Sequence, residues 1–291
     1  MTAAQDSGQG RPPKGETVGS ALARAGRFLL PFLSRHASVV PTGRRRPASP
    51  MSTEYTLETT VAFADVDRDQ VLLLPRLFKL LQEAAIKHAD LFDAGTKALA
   101  ERGMSWVLNR MAVAIDRYPR YEEPVRVVTW STGVQGFKGF REFRMYCGPE
   151  QVVAVSSLWL WVDLRLKMLA RVPAEVAAAF PVGAGAPPFR ADIEALRTAP
   201  PAAGAAAVEI SLRHSDIDAN GHVNNTAFFD CLQTALLRCG FPPRPRAIEI
   251  QFLKEVPATA ERVTVHLEPR GTGTAFALGC AEVRCAQGVV S

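Results

Sequence analysis

The chain contains the same polar pattern twice, about half its length apart. Ala64-Asp-Val-Asp-Arg-Asp-Gln-Val71 aligns with Ser215-Asp-Ile-Asp-Ala-Asn-Gly-His222 at a constant offset of 151 residues, which places Asp67 opposite Asp218. Each copy is followed by apolar residues three and four positions apart, the spacing of an amphipathic helix. The chain is therefore predicted to be one structural unit used twice.

The two copies differ in the residues that can carry out chemistry. Asn220 and His222 of the second copy correspond to Asp69 and Val71 of the first. An imidazole and an amide are thus present in one copy only. The second copy is predicted to be the chemical one, and the first is predicted to be scaffold or substrate wall.

Length and charge limit the class of protein. With 291 residues, 47% of them apolar, the chain can bury a large core and is long enough for two domains. The net charge of +5 comes from residues 1–50, which hold 8 Lys and Arg against 2 Asp and Glu, whereas residues 51–291 hold 26 against 27. The body of the chain is therefore neutral, and no nucleic-acid partner is predicted for it.

Residues 1–50 are predicted to be a disordered basic tail. The acid-free stretch at residues 19–40 is also compatible with a transit peptide or a surface-seeking amphipathic segment, and Met51 is an alternative start. A cytoplasmic location is predicted, with an organelle as the alternative if the tail is a transit peptide. No apolar run approaches the roughly 20 residues needed to span a bilayer, so no transmembrane segment is predicted.

The cysteines favour a reducing compartment. They are odd in number and show no close metal-ligand spacing, so reduced thiols are predicted, with neither a disulfide nor a metal site. No cofactor is expected. The five residues are Cys147, Cys231, Cys239, Cys280 and Cys285.

The fold is predicted from the order of helical and extended patterns. A first unit is predicted over residues 51–172 and a second over residues 208–291, joined by an Ala-, Pro- and Gly-rich linker at residues 173–207. In each unit a long helix precedes antiparallel strands, and the second unit is predicted to end before its closing strand is complete. This pattern predicts an α+β tandem hotdog fold, in which two curved antiparallel sheets each wrap around a long helix and can pair edge to edge.

The candidate chemistry lies at the turn into the second helix. Asp218-Ala-Asn-Gly-His222 places a carboxylate, an amide and an imidazole where backbone N–H groups and the positive end of a helix dipole can stabilise an oxyanion. Glu255, at the end of a predicted strand, is the candidate base for water, and its apolar neighbours Val256 and Pro257 are expected to make it a stronger one. Simple turn and helix-cap roles for Asp218 and Asn220, and a core role for His222, remain open.

These residues carry a family resemblance. Arg213-His-Ser-Asp-Ile-Asp-Ala-Asn-Gly-His-Val-Asn-Asn225, followed by the pair Phe228-Phe229, resembles the signature of acyl-acyl carrier protein thioesterases, tandem hotdog enzymes that hydrolyse fatty acyl thioesters. Similar motifs occur in the first half, among them Leu81-Gln-Glu-Ala-Ala85 and Trp159-Leu-Trp-Val-Asp163. The resemblance covers roughly residues 52–290.

The resemblance implies a set of catalytic residues: Asp218, Asn220, His222 and Glu255. Plant members of the family have a cysteine immediately after the glutamate, and this chain has Val256 there. A cysteine nucleophile is therefore disfavoured, and attack by water is predicted. The truncated last strand is a second expected departure from the family.

The predicted substrate is a fatty acyl group on an acidic acyl carrier protein or on coenzyme A. Lys138, with nearby Arg141 and Arg144, is a candidate contact surface for the carrier. A homodimer is left open. The alternatives are a hotdog acyl-CoA thioesterase for a non-fatty acyl group and a sensor that binds acyl thioesters without turnover, which would not need Glu255 beside the amide and imidazole. The predicted substrate-binding residues are Asn224, Asn225 and Trp106.

Overall fold

Two repeats of strands around a long helix make up the part of the chain that the structure describes. The computed structural model describes residues 53–180, 182–183 and 185–291, so the predictions about the basic tail and about a start at Met51 lie outside the described residues. The first repeat consists of β1 (Glu54–Thr60), α1 (Leu74–Asp90), α2 (Thr96–Glu101), β2 (Met104–Ile115), β3 (Pro124–Gln135), β4 (Lys138–Cys147), β5 (Glu150–Asp163) and the two-residue β6 (Met168–Leu169).

The second repeat follows a segment that contains the short helix α3 (Ala174–Ala179). It has the same order of elements as the first repeat, apart from α2 and β6. Its helix begins and ends within one residue of residues 224–239, the range that the apolar spacing predicts. Its elements are β7 (Ala206–Ser211), α4 (Asn225–Arg238), β8 (Ala247–Phe252), β9 (Arg262–Arg270), β10 (Gly273–Cys280) and β11 (Val283–Val290).

The second repeat is complete, so the prediction that it ends before its closing strand is wrong. The sequence pattern of residues 274–284 predicts a single strand, but the structure divides this run between β10 and β11 by a two-residue turn at Ala281 and Glu282. β11 then pairs with β8 on its other side. The turn escaped prediction because it has neither Gly nor Pro, and Ala281 itself takes the left-handed conformation with φ 50°.

The two sheets are joined into one. The strand order is β1-β3-β4-β5-β2-β8-β11-β10-β9-β7, in which the second half repeats the first in reverse. The joint is the antiparallel pair β2 and β8, in register from Arg110 opposite Gln251 to Ala114 opposite Ala247. Edge-to-edge pairing therefore covers one edge of each repeat and relates the repeats by an approximate two-fold axis.

The helices pack against each other on the concave side of this sheet. α1 buries one face, including Leu74, Leu77 and Leu81, against the strands. The rings of Phe78 on α1 and Phe229 on α4 stack with their centroids 3.4 Å apart and their planes 1° from parallel. These residues are equivalent in the 151-residue repeat, so the approximate two-fold axis passes between them.

The predicted linker packs against the convex side of the sheet. Arg144 on β4 donates a hydrogen bond to the carbonyl of Pro187 at 2.8 Å, and the N–H of Thr198 donates to the side chain of Gln251 on β8 at 2.8 Å. Ile193 and Leu196 are buried there against the sheet. The linker therefore covers polar groups of both repeats. Among the described residues, no helix has the length and apolar character needed to span a membrane.

Candidate active site

The turn at residues 218–222, here called the site turn, is closed by the Asp218 carboxylate. Its Oδ1 accepts hydrogen bonds from the backbone N–H of Asn220 at 2.9 Å and of His222 at 3.4 Å. The N–H of Gly221 donates to the carbonyl of Asp218 at 3.0 Å, and Gly221 has φ 78°, a conformation that glycine adopts without steric cost. The turn thus fixes the backbone that carries the Asn220 and His222 side chains.

The first repeat builds the same turn from different residues. Asp67 Oδ1 accepts from the N–H of Asp69 at 2.9 Å and of Val71 at 3.1 Å, and the N–H of Gln70 donates to the Asp67 carbonyl at 2.9 Å. These bonds match those of the site turn at the 151-residue offset. An aspartate carboxylate therefore closes this turn in both copies, and the contacts of Asp218 fit the turn role that the sequence left open.

A second segment brings Glu255 to the site turn. The N–H of Val223 donates to the carbonyl of Val256 at 3.0 Å, and His222 pairs with Pro257 in an isolated β-bridge. As a result, His222 Nε2 lies 3.3 Å from Glu255 Oε2. Two residues 33 positions apart in the sequence thus form a close polar pair.

This pair is open to solvent. The side chains of His222 and Glu255 are 39% and 59% exposed, respectively. The apolar setting expected for Glu255 is absent, because Val256 points into the core at 0% exposure and Glu255 points the other way. Water therefore has direct access to the pair.

The two asparagines after the site turn have different environments. Asn224 is the N-cap of α4, and its Oδ1 accepts from the N–H of Thr226 at 2.8 Å. Asn225 is the first residue of α4, half-buried, and its side chain has no hydrogen-bond partner among the described residues. The positive end of the α4 dipole lies beside the site turn.

A largely apolar cavity of about 90 Å³ lies between α1 and the sheet of the first repeat. Ile86, Trp106, Trp159 and Phe180 are among its lining residues, and Trp106 packs edge-on against Trp161 at 4.8 Å. Trp106, predicted to bind substrate, is therefore part of a cavity wall.

The cavity and the polar pair lie at the same end of the two central strands, β2 and β8. Trp106 is the third residue of β2, and Glu255 follows the end of β8 by three residues. Because β2 and β8 are antiparallel, the start of one lies beside the end of the other. Asn109 on β2 reaches across this joint and donates to the carbonyl of Phe252 at 3.1 Å.

One charged residue lies in the cavity wall. Arg141 is 8% exposed, donates from Nη1 to Thr129 Oγ1 at 3.1 Å, and contacts His88 Nδ1 at 2.8 Å. Among the described residues, no carboxylate lies within ion-pair distance of Arg141. Burial lowers the pKa of the guanidinium to about 10, so it remains a cation at neutral pH.

His88 is neutral in this arrangement. Burial, together with the adjacent Arg141 cation, lowers the pKa of His88 to about 3. A guanidinium can only donate, so Nδ1 of His88 accepts and Nε2 carries the hydrogen. Within the described residues, Nε2 is buried without a hydrogen-bond partner.

The cationic surface predicted to meet a carrier protein is not formed. Arg141 faces the cavity, and Arg144 is 4% exposed beneath the linker, where it pairs with Glu142 at 3.1 Å. Lys138 pairs with Glu194 of the linker. The prediction failed because residues 141 and 144 lie on opposite faces of one strand, and both faces of this sheet are covered.

Two residues, Arg244 and Tyr118, occupy the equivalent site of the first repeat. Arg244 forms ion pairs with Asp67 at 2.6 Å and with Asp69, the counterpart of Asn220. Tyr118 takes the position of Glu255, because the carbonyls of Pro119 and Val256 accept equivalent bonds from the two turns.

Tyr118 is a poor substitute for a base. Its hydroxyl donates to the carbonyl of Pro245 at 2.8 Å, and burial raises the pKa of this phenol. The only available sequence signal was the strand alignment of the two repeats, in which a tyrosine stands where the second repeat has a glutamate.

No group of three or more His, Cys, Asp or Glu side chains in the described ranges is arranged to hold a metal ion. The five cysteines are unpaired. Cys231, on α4 near the site turn, is buried, and burial raises the pKa of its thiol to about 12.

Comparison with known families decides the identity of the chain. The model for the acyl-ACP thioesterase N-terminal domain matches residues 52–180, and the model for the acyl-ACP thioesterase C-terminal domain matches residues 201–285. The chain belongs to the acyl-ACP thioesterase family. The resemblance seen in the sequence motifs is thereby confirmed.

Curated members of the acyl-ACP thioesterase family match part of the chain. A chloroplastic palmitoyl-acyl carrier protein thioesterase from Gossypium hirsutum is 27% identical over 56% of this chain and 42% of its own length. A chloroplastic dodecanoyl-[acyl-carrier-protein] hydrolase from Cinnamomum camphora is 28% identical over 57% of this chain and 46% of its own length. The matched region thus spans less than half the length of these curated relatives.

Solved structures of acyl-ACP thioesterases confirm the predicted α+β tandem hotdog fold. The enzyme from Bacteroides thetaiotaomicron aligns with a TM-score of 0.71 and 19% identity over 82% of this chain and 97% of its own. The 12:0-ACP thioesterase from Umbellularia californica aligns with a TM-score of 0.71 and 17% identity over 84% of this chain and 98% of its own.

Proposed function

We propose that this chain hydrolyses a fatty acyl thioester of acyl carrier protein to a free fatty acid and the carrier thiol. The observation that carries the proposal is the 3.3 Å contact between His222 and Glu255. This pair is open to water and lies at the same end of the central strands as the apolar cavity. A protein that only binds thioesters has no need for this pair. Relatives named for palmitoyl and dodecanoyl substrates support a fatty acyl group.

The cavity would hold the acyl chain while the thioester carbonyl lies at the site turn. Apolar and aromatic walls favour a hydrocarbon over water, and the cavity lies in the repeat whose own turn is blocked. The buried Arg141 cation in the cavity wall disfavours contact with the end of a hydrocarbon chain. Such a contact would remove the remaining water from the guanidinium, which costs free energy. The first repeat would thus bind and the second would react.

Glu255 would take a proton from water as the water oxygen attacks the carbonyl carbon. The Asn220 amide and the positive end of the α4 dipole would stabilise the oxyanion that forms. The carbon–sulfur bond then breaks, and the proton held by the Glu255 and His222 pair passes to the sulfur. Asp218 would act as a positioning residue, because its carboxylate holds the backbone of Asn220 and His222.

A cysteine nucleophile fits the residues less well than water does. Val256 occupies the position directly after the glutamate. Cys231, on the helix that begins at the site turn, keeps its proton because burial raises the pKa of its thiol to about 12. Attack by water remains the mechanism that the described side chains can supply.

Hydrolysis of a fatty acyl group on acyl carrier protein tests the proposal, with Glu255→Gln as the decisive variant. Glutamine keeps the size of the side chain but cannot accept the proton, so kcat should fall by about 10²-fold or more while substrate binding persists. Cys231→Ala is the matched control and should retain wild-type kcat. Wild-type turnover by Glu255→Gln would overturn the mechanism, and wild-type binding without hydrolysis would identify a sensor instead.

The carrier is the second question for the same assay. The same acyl group on coenzyme A should be hydrolysed with lower kcat/KM than on acyl carrier protein, because the family is defined by carrier-protein substrates. Equal values would make coenzyme A thioesters equivalent substrates.

The compartment, cytoplasm or organelle, and a homodimer stay predictions. The plant relatives are named as chloroplastic.

A further inference from the structure

The hairpin at residues 164–169, which joins β5 to β6, exposes an unusual set of side chains. Its sequence is Leu-Arg-Leu-Lys-Met-Leu, and all six residues are exposed. Leu166 is 70% exposed, Met168 63% and Leu169 51%. Clustered exposed apolar side chains on a soluble surface mark an interaction site more often than scattered ones do.

The charge of this hairpin has one sign. Residues 164–173 contain Arg165, Lys167 and Arg171 and no Asp or Glu. All three cations are exposed, and none forms an ion pair with a described residue. By contrast, Lys138 on the adjacent strand β4 pairs with Glu194. The hairpin therefore presents apolar side chains beside cations that form no ion pair with a described residue.

The hairpin has a defined conformation. Asp163 Oδ1 accepts hydrogen bonds from the N–H of Arg165 at 2.8 Å and of Leu166 at 2.9 Å, which closes the turn. Lys167 takes a left-handed conformation with φ 52°, and β6 returns to pair with Val162 and Asp163. The leucines are thus held in position, which reduces the entropy lost on binding.

The hairpin lies at the same end of the central strands as the pair of His222 and Glu255. The N–H of Leu164 donates to the carbonyl of Gly103 at 2.8 Å, and Asp163 is opposite Met104, the first residue of β2. β2 continues into the cavity wall at Trp106, and its start lies beside the end of β8. A partner bound to the hairpin would therefore be close to both the cavity and Glu255.

We propose that this hairpin is the docking surface for the acidic carrier protein that delivers the acyl chain, with its leucines against apolar side chains of the carrier and Arg165 and Lys167 against its carboxylates. This rests on the proposed function. Charge complementarity favours the carrier over a second copy of this chain, because an isologous contact through the hairpin would bring like charges together. Position favours it too, since a docked carrier must place its thioester at the site turn.

Kinetics with two forms of one acyl group test the proposal. The substrates are the acyl group on acyl carrier protein and the same group on N-acetylcysteamine, a short thiol without a protein. Leu166→Asp and Lys167→Glu should each raise KM for the carrier-bound substrate by about 10-fold, the equivalent of about 1.4 kcal/mol of binding. Both variants should hydrolyse the short thioester at the wild-type rate.

Matched controls come from residues 63–68 of the first repeat, at the opposite end of the strands. Phe63, 76% exposed, is the control for Leu166, and Arg68, whose side chain is 94% exposed, is the control for Lys167. Phe63→Asp and Arg68→Glu should leave both substrates unaffected. Equal losses in these variants would show a general effect of charge and would overturn the proposal.

The other outcomes are distinguishable from one another. If the wild type hydrolyses neither substrate, the proposed function fails. If it hydrolyses both and the hairpin variants match it on the carrier substrate, only the docking surface is wrong. Loss of dimerisation in Leu166→Asp by sedimentation, or loss of binding to phosphatidylglycerol vesicles, with unchanged kinetics on the carrier substrate would assign the hairpin to a second copy or to a lipid surface instead.

Discussion

The buried contact between His88 and Arg141 makes this protein sensitive to acid. The folded state holds His88 neutral with a pKa of about 3, whereas in the unfolded chain the imidazole has its ordinary pKa of about 6.5. Between these two values the unfolded state binds more protons, so the free energy of unfolding decreases as the pH falls from about 6.5 towards 3. The contact thus stabilises the protein fully only above the upper value.

His88→Gln tests this dependence. Glutamine can still accept from Arg141 through its side-chain oxygen but does not titrate, so the slope of unfolding free energy against pH should fall by about 1.4 kcal/mol per pH unit within that window. Urea unfolding at several pH values measures the slope. His88→Leu, which removes the acceptor, should cost about 1 to 3 kcal/mol at neutral pH, whereas superimposable slopes for wild type and His88→Gln would refute the assignment.

Asp69 and Asn220 occupy equivalent positions and should respond oppositely to alanine. Asp69 pairs with Arg244, and their side chains are 54% and 32% exposed, so Asp69→Ala should lower the free energy of unfolding by about 1 kcal/mol or less and leave kcat unchanged. Asn220→Ala should lower kcat by about 10²-fold with little change in stability. Paired denaturation and turnover measurements check both, and a loss of kcat at Asp69 equal to that at Asn220 would make the first repeat catalytic.

At the scale of elements, the turn between β10 and β11 determines whether the second sheet closes. Ala281 takes a left-handed conformation at φ 50°, which costs a residue with a Cβ roughly 1 to 2 kcal/mol. Ala281→Gly should therefore raise the free energy of unfolding by about 0.5 to 1 kcal/mol, after the greater entropy of glycine in the unfolded chain is subtracted. Glu282→Gly is the control and should destabilise, and urea midpoints that move the other way would contradict this account.

For the whole molecule, the contact at the approximate two-fold axis links the two repeats. Phe78 and Phe229 stack directly, so a double-mutant cycle with leucine at both positions should show a coupling energy of about 0.5 to 1.5 kcal/mol. Phe78→Leu combined with Phe276→Leu, a buried site in the second sheet, should be additive. Because β2 and β8 join the sheets, each variant should shift one common unfolding transition, and two separated transitions would show that the repeats unfold independently.

Much of the fold was legible in the sequence because local patterns repeat. The 151-residue offset predicted two equivalent units, and the apolar spacing in each copy predicted α1 and α4. The spacing of apolar and polar residues within one helix or strand indicates which of its faces is buried, so a short stretch of sequence is enough to predict the element. The turn at Ala281 was missed because its left-handed residue is neither Gly nor Asn, so no local signal marked it.

The sequence by itself determined the family, the two-unit architecture and which turn carries an amide and an imidazole. Only the tertiary structure decided that Glu255 contacts His222, that Arg244 and Tyr118 fill the equivalent place in the first repeat, and that Arg141 lies in a cavity wall instead of on the surface. The physical reason is distance along the chain. Each of these arrangements joins residues on different elements, and the tertiary fold sets their separation, which no local pattern encodes.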